Sequence, residues 1–225
     1  MTDYVVEKNL LRLKQEIVPY TPRIIAVTKY YDVNAIIEAY NAGLRDFGES
    51  KINDAISKIE QLPETIKKES TFHYIGHLQS NKVAKVIKYF DYIHSVDSLR
   101  LAKIISEKAV SIGKIQNVLI EVNISGEVQK FGFDIEELKN CFEELKSLRG
   151  IKIHGLMCMA PLGAGDTELD SVFSQTRLLL KELNNCHSMQ MSELSMGMSD
   201  DYKYAVVNGA TMIRIGRNLF KKEDI

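Results

Sequence analysis

Short apolar runs rich in branched residues alternate along this chain with longer stretches in which apolar positions recur every three or four residues. The first periodicity is that of a buried strand and the second that of an amphipathic helix. Val6, Leu10, Leu13 and Ile17 predict a helix over residues 1–18, ended by Pro19 and Pro22. Residues 23–28 (RIIAVT) then read as a strand, and Asp32 caps a helical stripe of Ile36, Ile37 and Tyr40 that stops at Gly43. The pair recurs. Predicted strands cover residues 44–47, 72–75, 92–96, 118–123, 151–157, 193–196 and 211–215, making eight with the first. Helical stripes separate them, among them Ile52, Ala55, Ile56 and Ile59, and later Leu169, Val172, Phe173, Thr176, Leu180 and Leu183.

Strands separated by helices imply parallel pairing, because parallel neighbours need crossover connections. A doubly wound open sheet satisfies that rule as well. The repeat of about 25 to 30 residues, and the lack of a linker-like or low-complexity stretch, favour closure. The expected fold is α/β: a single (β/α)8 TIM-type barrel over residues 23–220, with an extra N-terminal helix over 1–18, in one unit of 225 residues. The eighth unit is short, and the N-terminal helix is expected to cover the bare part of the wall.

Charge narrows the function. Twenty-nine Lys and Arg against 30 Asp and Glu give no positive field for non-specific nucleic-acid binding. No apolar run reaches the roughly 20 residues that span a bilayer, and the charged N-terminus has no signal-peptide core, so a soluble, cytoplasmic protein is expected. The three cysteines lack metal-type spacing and are expected to be unpaired thiols.

In a parallel barrel the functional groups collect where strands end and βα loops begin. The chemically unusual residues follow this rule: Lys29, Gly48-Glu49-Ser50, the 76–82 segment GHLQSNK, Asn123, Met157 and Met159, Gly197 and Ser199, and Gly216-Arg217. Loops after the seventh and eighth strands of such barrels bind phosphate, and GMSDD (197–201) and RIGRN (214–218) suit this, with Ser199 as helix cap and phosphate donor. The plainer alternative is that Ser199 only caps, with Asp200 and Asp201 favouring the helix dipole. A lysine at a strand end is ordinarily a rim charge, but in a partly desolvated mouth the neutral amine of Lys29 could attack an aldehyde. His73 and His77 are spaced like metal ligands, yet Gly76 lies between them on a strand running into a loop, and no metal site is expected. His94 and His154 are read as core or lumen residues.

AVTK (26–29), RDFGE (45–49), HYIGHLQSNK (73–82), LSMGMSDD (194–201) and RIGR (214–217) occur in this order. With these strings the chain resembles the YggS/PROSC family of pyridoxal-phosphate-binding proteins, from the first strand to the eighth. The resemblance implies a barrel related to the N-terminal domain of alanine racemase, with pyridoxal 5′-phosphate (PLP) held on Lys29 as a Schiff base. It further implies a cofactor site that includes Ser50, Met196, Ser199, Arg214, Gly216 and Arg217. Ser199, Gly216 and the following residue would hold the phosphate, and Arg214 would face the pyridine nitrogen. The family usually has asparagine at the position of Ser50 and often threonine at that of Arg217.

A racemase of this lineage needs a second acid/base, a tyrosine from an extra C-terminal β domain that is not expected here. The expected role is therefore that of a non-enzymatic carrier or buffer of PLP in vitamin B6 homeostasis, with no catalytic residues assigned. Apo PLP-dependent enzymes are possible acceptors, and a monomer is expected. The alternatives are a PLP-dependent enzyme, either a weak amino-acid racemase or a lyase, and a regulatory interaction module that uses the barrel as a platform.

Overall fold

A computed structural model describes residues 5–127, 129 and 131–221. Eight strands, β1 (Arg23–Val27), β2 (Asp46–Glu49), β3 (Thr71–Tyr74), β4 (Tyr92–Val96), β5 (Gln116–Glu121), β6 (Ile151–Met157), β7 (Glu193–Ser195) and β8 (Met212–Ile215), form a closed barrel in sequence order. All neighbouring pairs are parallel, and β8 closes onto β1 with Ile25 opposite Arg214 and Ala26 opposite Ile215. The doubly wound alternative is therefore excluded.

The helices are α1 (Val5–Glu16), α2 (Val33–Asn41), α3 (Ile52–Gln61), α4 (Glu64–Glu69), α5 (Val83–Tyr89), α6 (Leu99–Ser111), α7 (Ile135–Lys146), α8 (Asp166–His187), α9 (Tyr202–Val207) and α10 (Arg217–Phe220). Their starts and stops follow local chemistry. Asp32 accepts the Asn34 N–H at 3.0 Å to cap α2, Ser98 caps α6 and Asp134 caps α7. Gly43 and Gly209 close α2 and α9 at φ +94° and +90°. Helix α1 takes the place of a full eighth helix, packing against α2 and α10. Buried Asn9 donates to the carbonyls of Leu219 and Lys221 at 3.0 and 3.1 Å, which ties α1 to the short α10. Residues 1–4 of the expected 1–18 helix lie outside the described residues.

Two strands are displaced by two residues from their expected positions, and β3 by one. β2 begins at Asp46 rather than Leu44 and runs through Gly48, where a Cβ would stand 2.9 Å from Ile25 and 3.2 Å from Ile75. β5 begins at Gln116 because that side chain is fully buried and donates to the Asp91 carbonyl at 2.8 Å. The main apolar core fills the shell between strands and helices, while Ile25, Leu119, Met157 and Met212 form a small separate core inside the barrel. Among the described residues no helix is long and apolar enough to cross a membrane.

Candidate functional site

Lys29 occupies a tight turn at the end of β1, closed by the Tyr31 N–H donating to the Thr28 carbonyl at 3.0 Å. The lysine is half-buried, and its ammonium lies 5.2 Å from the Tyr30 ring, which Lys51 approaches to 5.1 Å. Lys58, from α3, grips the same turn from behind. It donates to the carbonyls of Thr28 (2.7 Å) and Tyr31 (3.2 Å) and forms an ion pair with Glu49, which also accepts the Thr28 hydroxyl at 2.6 Å. Lys58 and Glu49 are 7 % and 1 % exposed, so the pair is shielded from solvent. Sequence periodicity did not reveal this clamp. The buried stripe of α3 is Ala55, Lys58 and Ile59, whereas Ile56 is only half-buried.

Across the β8–β1 seam, two loops meet. Gly197 takes φ +89°, and a Cβ there would stand 2.6 Å from that of Ala205, so the chain turns where another residue would collide. The Asp201 carboxylate accepts the Met198 N–H and closes the loop that presents Ser199. Ser199 does not cap α9; Asp201 precedes that helix, and the Ser199 hydroxyl instead lies 3.5 Å from the Asn218 N–H in the loop after β8. Its carbonyl accepts the Asn218 amide at 2.9 Å, which locks the two loops together. At Gly216 a Cβ would stand 3.4 Å from the Val27 carbonyl, an ordinary contact between the ends of β8 and β1. Arg217 is exposed and its guanidinium pairs with Asp200. Met196 is fully buried, its N–H donating to the Met212 carbonyl at 3.1 Å. The Tyr31 ring lies 4.5 Å from that of Phe220, which joins the Lys29 turn to α10.

Below this rim Arg214 is 4 % exposed. It donates to the Ser195 carbonyl and hydroxyl, each at 2.6 Å, and to the Cys158 carbonyl at 2.9 Å. Burial lowers its pKa from the ordinary arginine value, yet a guanidinium stays cationic and can only donate. Burial also pushes the Glu121 carboxyl up to about 7, with Asp97 adding to the rise and Arg214 opposing it. The Cys158 thiol is pushed up to about 11 by burial.

The residues singled out in the sequence thus come from four consecutive strands: Met196 and Ser199 after β7, Arg214, Gly216 and Arg217 on or after β8, Lys29 after β1 and Ser50 after β2. Ser50 borders a cavity of about 410 Å³ with Lys51, Tyr74, His77 and Lys82, and its carbonyl accepts the Tyr74 hydroxyl at 3.3 Å. His73 and His77 do not converge: His73 is fully buried, while His77 is on the rim facing Asp97. Among the described residues no three His, Cys, Asp or Glu side chains are grouped to hold a metal.

The alanine racemase N-terminal domain model matches residues 5–224. The pyridoxal phosphate homeostasis protein of Synechocystis is 41 % identical over 202 residues, which is 90 % of this chain and 92 % of that protein. The chain belongs to this family. The protein of the same name from Pseudomonas aeruginosa is 37 % identical over 92 % of this chain and 86 % of its own length. PipY of Synechococcus elongatus, solved with PLP bound, superposes with TM-score 0.87 at 37 % identity, covering 96 % of this chain and all of PipY. An alanine racemase of Clostridium difficile, 17 % identical with TM-score 0.77, shares the fold over 98 % of this chain and 57 % of its own.

Family motifs pointed to the rim but not to what supports it. Glu49, Lys58, Ser195 and Glu121 went unremarked as interacting groups, and the only signal for Lys58 was a charge three residues after Ala55 on the apolar stripe.

Proposed function

We propose that the chain binds PLP covalently through Lys29 and serves vitamin B6 homeostasis as a carrier or buffer of the cofactor rather than as an enzyme. The observation that carries this reading is the donor set gathered from the ends of β7, β8, β1 and β2. An amine held in a clamped turn faces an aldehyde's chemistry. Ser199 and the backbone N–H groups at Gly216 and Arg217 suit a phosphate, approached closely because residue 216 has no side chain. Arg214 would suit a ring nitrogen, and Met196 and Ser50 would contribute from the same ends of β7 and β2. The Arg217 side chain, already paired with Asp200, contributes through its backbone.

PLP supplies a reactive aldehyde and a ring that accepts electrons. A donor-only guanidinium at the ring nitrogen would leave that nitrogen unprotonated and the ring a weak electron sink. The chain acts as one binding unit, with the barrel over 23–220 and α1 as its brace, in a cytoplasmic monomer that hands the cofactor to apo PLP-dependent enzymes. Two measurements on the loaded protein test this. Incubation with L- and D-amino acids is expected to give no racemisation, keto acid or carbon dioxide above a free-PLP control, while an apo-enzyme recovers activity from the loaded protein. Repeated turnover abolished by Lys29→Ala would instead establish the racemase or lyase alternative.

A further inference from the structure

Five side chains form an unbroken line of hydrogen bonds through the barrel interior. Arg214 Nη1 lies 2.6 Å from Ser195 Oγ, and Ser195 Oγ lies 2.9 Å from His94 Nδ1. His94 Nε2 lies 2.9 Å from His73 Nδ1, and His73 Nε2 lies 2.9 Å from Asp46 Oδ1. Ser195, His94 and His73 are fully buried, whereas Asp46 is partly exposed at the opposite end of the barrel, 19 % open at its side chain.

The acceptor-only carboxylate at the Asp46 end sets the direction of donation along the line. Arg214 can only donate, so the Ser195 oxygen accepts from it; the second lone pair of that oxygen leaves the direction between Ser195 and His94 to be set from the Asp46 end. His94 is held neutral, its pKa well below the usual histidine value, chiefly by burial and further by His73, Arg214 and Arg23. His73 must be protonated on Nε2, which faces the Asp46 carboxylate, and a neutral His73 then accepts at Nδ1 the proton that His94 carries on Nε2. A neutral His94 with its proton there accepts at Nδ1 from Ser195. The other groups around the line agree with this. The Tyr92 ring stacks on His73 at 5.1 Å and meets His94 edge-on at 6.3 Å, and Arg23, 5.9 Å over that same ring, is paired with Glu193.

We propose that Ser195, His94, His73 and Asp46 are positioning residues: a one-way donor chain that anchors the Arg214 guanidinium toward the cofactor site and couples its orientation to a carboxylate at the far rim. Only the identity of what Arg214 faces rests on the proposed PLP function; the chain itself does not. Long-range 1H–15N imidazole spectra of the wild-type protein at pH 7, taken without PLP, test it directly. His94 and His73 are both expected to carry their proton on Nε2 alone. A proton on Nδ1 of either ring, or a charged ring, would overturn the proposal even if PLP binds as expected. In Asp46→Ala both rings are expected to become tautomer mixtures, including His94, which does not touch Asp46, whereas in Ser195→Ala the Asp46 carboxylate keeps both tautomers and only the hold on Arg214 is lost. The Arg214 guanidinium protons are expected to exchange on the order of tenfold faster in that variant. A folded Asp46→Ala protein with both tautomers unchanged, or a folded Ser195→Ala protein with an equally protected Arg214, would show mere space-filling and refute the chain. Should either variant not fold, the wild-type tautomers still decide. Failure of PLP to bind a protein with the expected tautomers would count against the Lys29 reading instead.

Discussion

Replacing Lys58 by methionine removes the cation that grips the Lys29 turn while keeping most of its apolar stem. Glu49, 1 % exposed, would then be a buried carboxylate with only the Thr28 hydroxyl on one oxygen, since its Oε2 atom has no partner among the described residues. Breaking one side of a buried pair costs about 3 to 5 kcal/mol, mostly from the charge left uncompensated. For a domain of this size that corresponds to a melting temperature lower by roughly 6 to 20 °C. The carbonyls of Thr28 and Tyr31 also lose their shared donor, so the turn that presents Lys29 loosens and PLP retention falls with stability. The double variant Lys58→Met, Glu49→Leu removes both charges, and it should recover most of the lost stability without recovering PLP retention, because the carbonyls stay ungripped. Urea unfolding gives the first quantity and release of PLP on dialysis the second. A single variant within about 1 kcal/mol of wild type, with unchanged PLP retention, would refute the clamp.

Three further outcomes follow from the same geometry. Glu121 has a folded pKa raised to about 7, so the folded state holds a proton that the unfolded state releases from about pH 4.5 upward. Wild-type stability should therefore decline between those values, and Glu121→Gln should gain up to about 3 kcal/mol at pH 8 but little at pH 4; an equal gain at both would contradict the assignment. Ser199→Ala should weaken PLP by about 1.5 to 3 kcal/mol, roughly 10- to 150-fold, while leaving unphosphorylated pyridoxal almost unchanged in equilibrium titrations; equal losses would remove Ser199 from the phosphate cup. A thiol reagent at pH 8 should label exposed Cys186 quickly and Cys158, buried and pushed up to about 11, only on unfolding, and equal labelling rates would contradict that burial.

The barrel was legible because its signals are local and repeated. The run IKIHGLM matches β6 residue for residue, Asp32 and Gly43 bound α2, and each apolar stripe faces the shell between helices and sheet. Strand ends were read less well where burial is polar. Gln116 and Asn117 belong to β5 although neither is apolar, because the Gln116 amide finds carbonyls to bond. Helix α4, six residues in the connection after Pro63, has no periodic stripe of its own and was not anticipated. The site divides along the same line. Lys29, Ser199 and Gly216 were singled out because strand-end chemistry and family strings mark them. The clamp under Lys29 and the line from Arg214 to Asp46 join residues up to 101 positions apart, and no spacing rule brings Ser195 to His94. Ser199 was read as a cap because a serine before an apolar run resembles one, whereas tertiary contact with Asn218 decides its role.

The central claim is that Lys29 carries the cofactor. The visible spectrum of the purified protein with PLP should show a Schiff-base band that borohydride abolishes, and peptide mapping of the reduced protein should place the pyridoxyl group on the peptide containing Lys29. Lys29→Ala should lose the band. A band that persists unchanged in that variant, or a pyridoxyl group mapped to another rim lysine such as Lys82, would contradict the account.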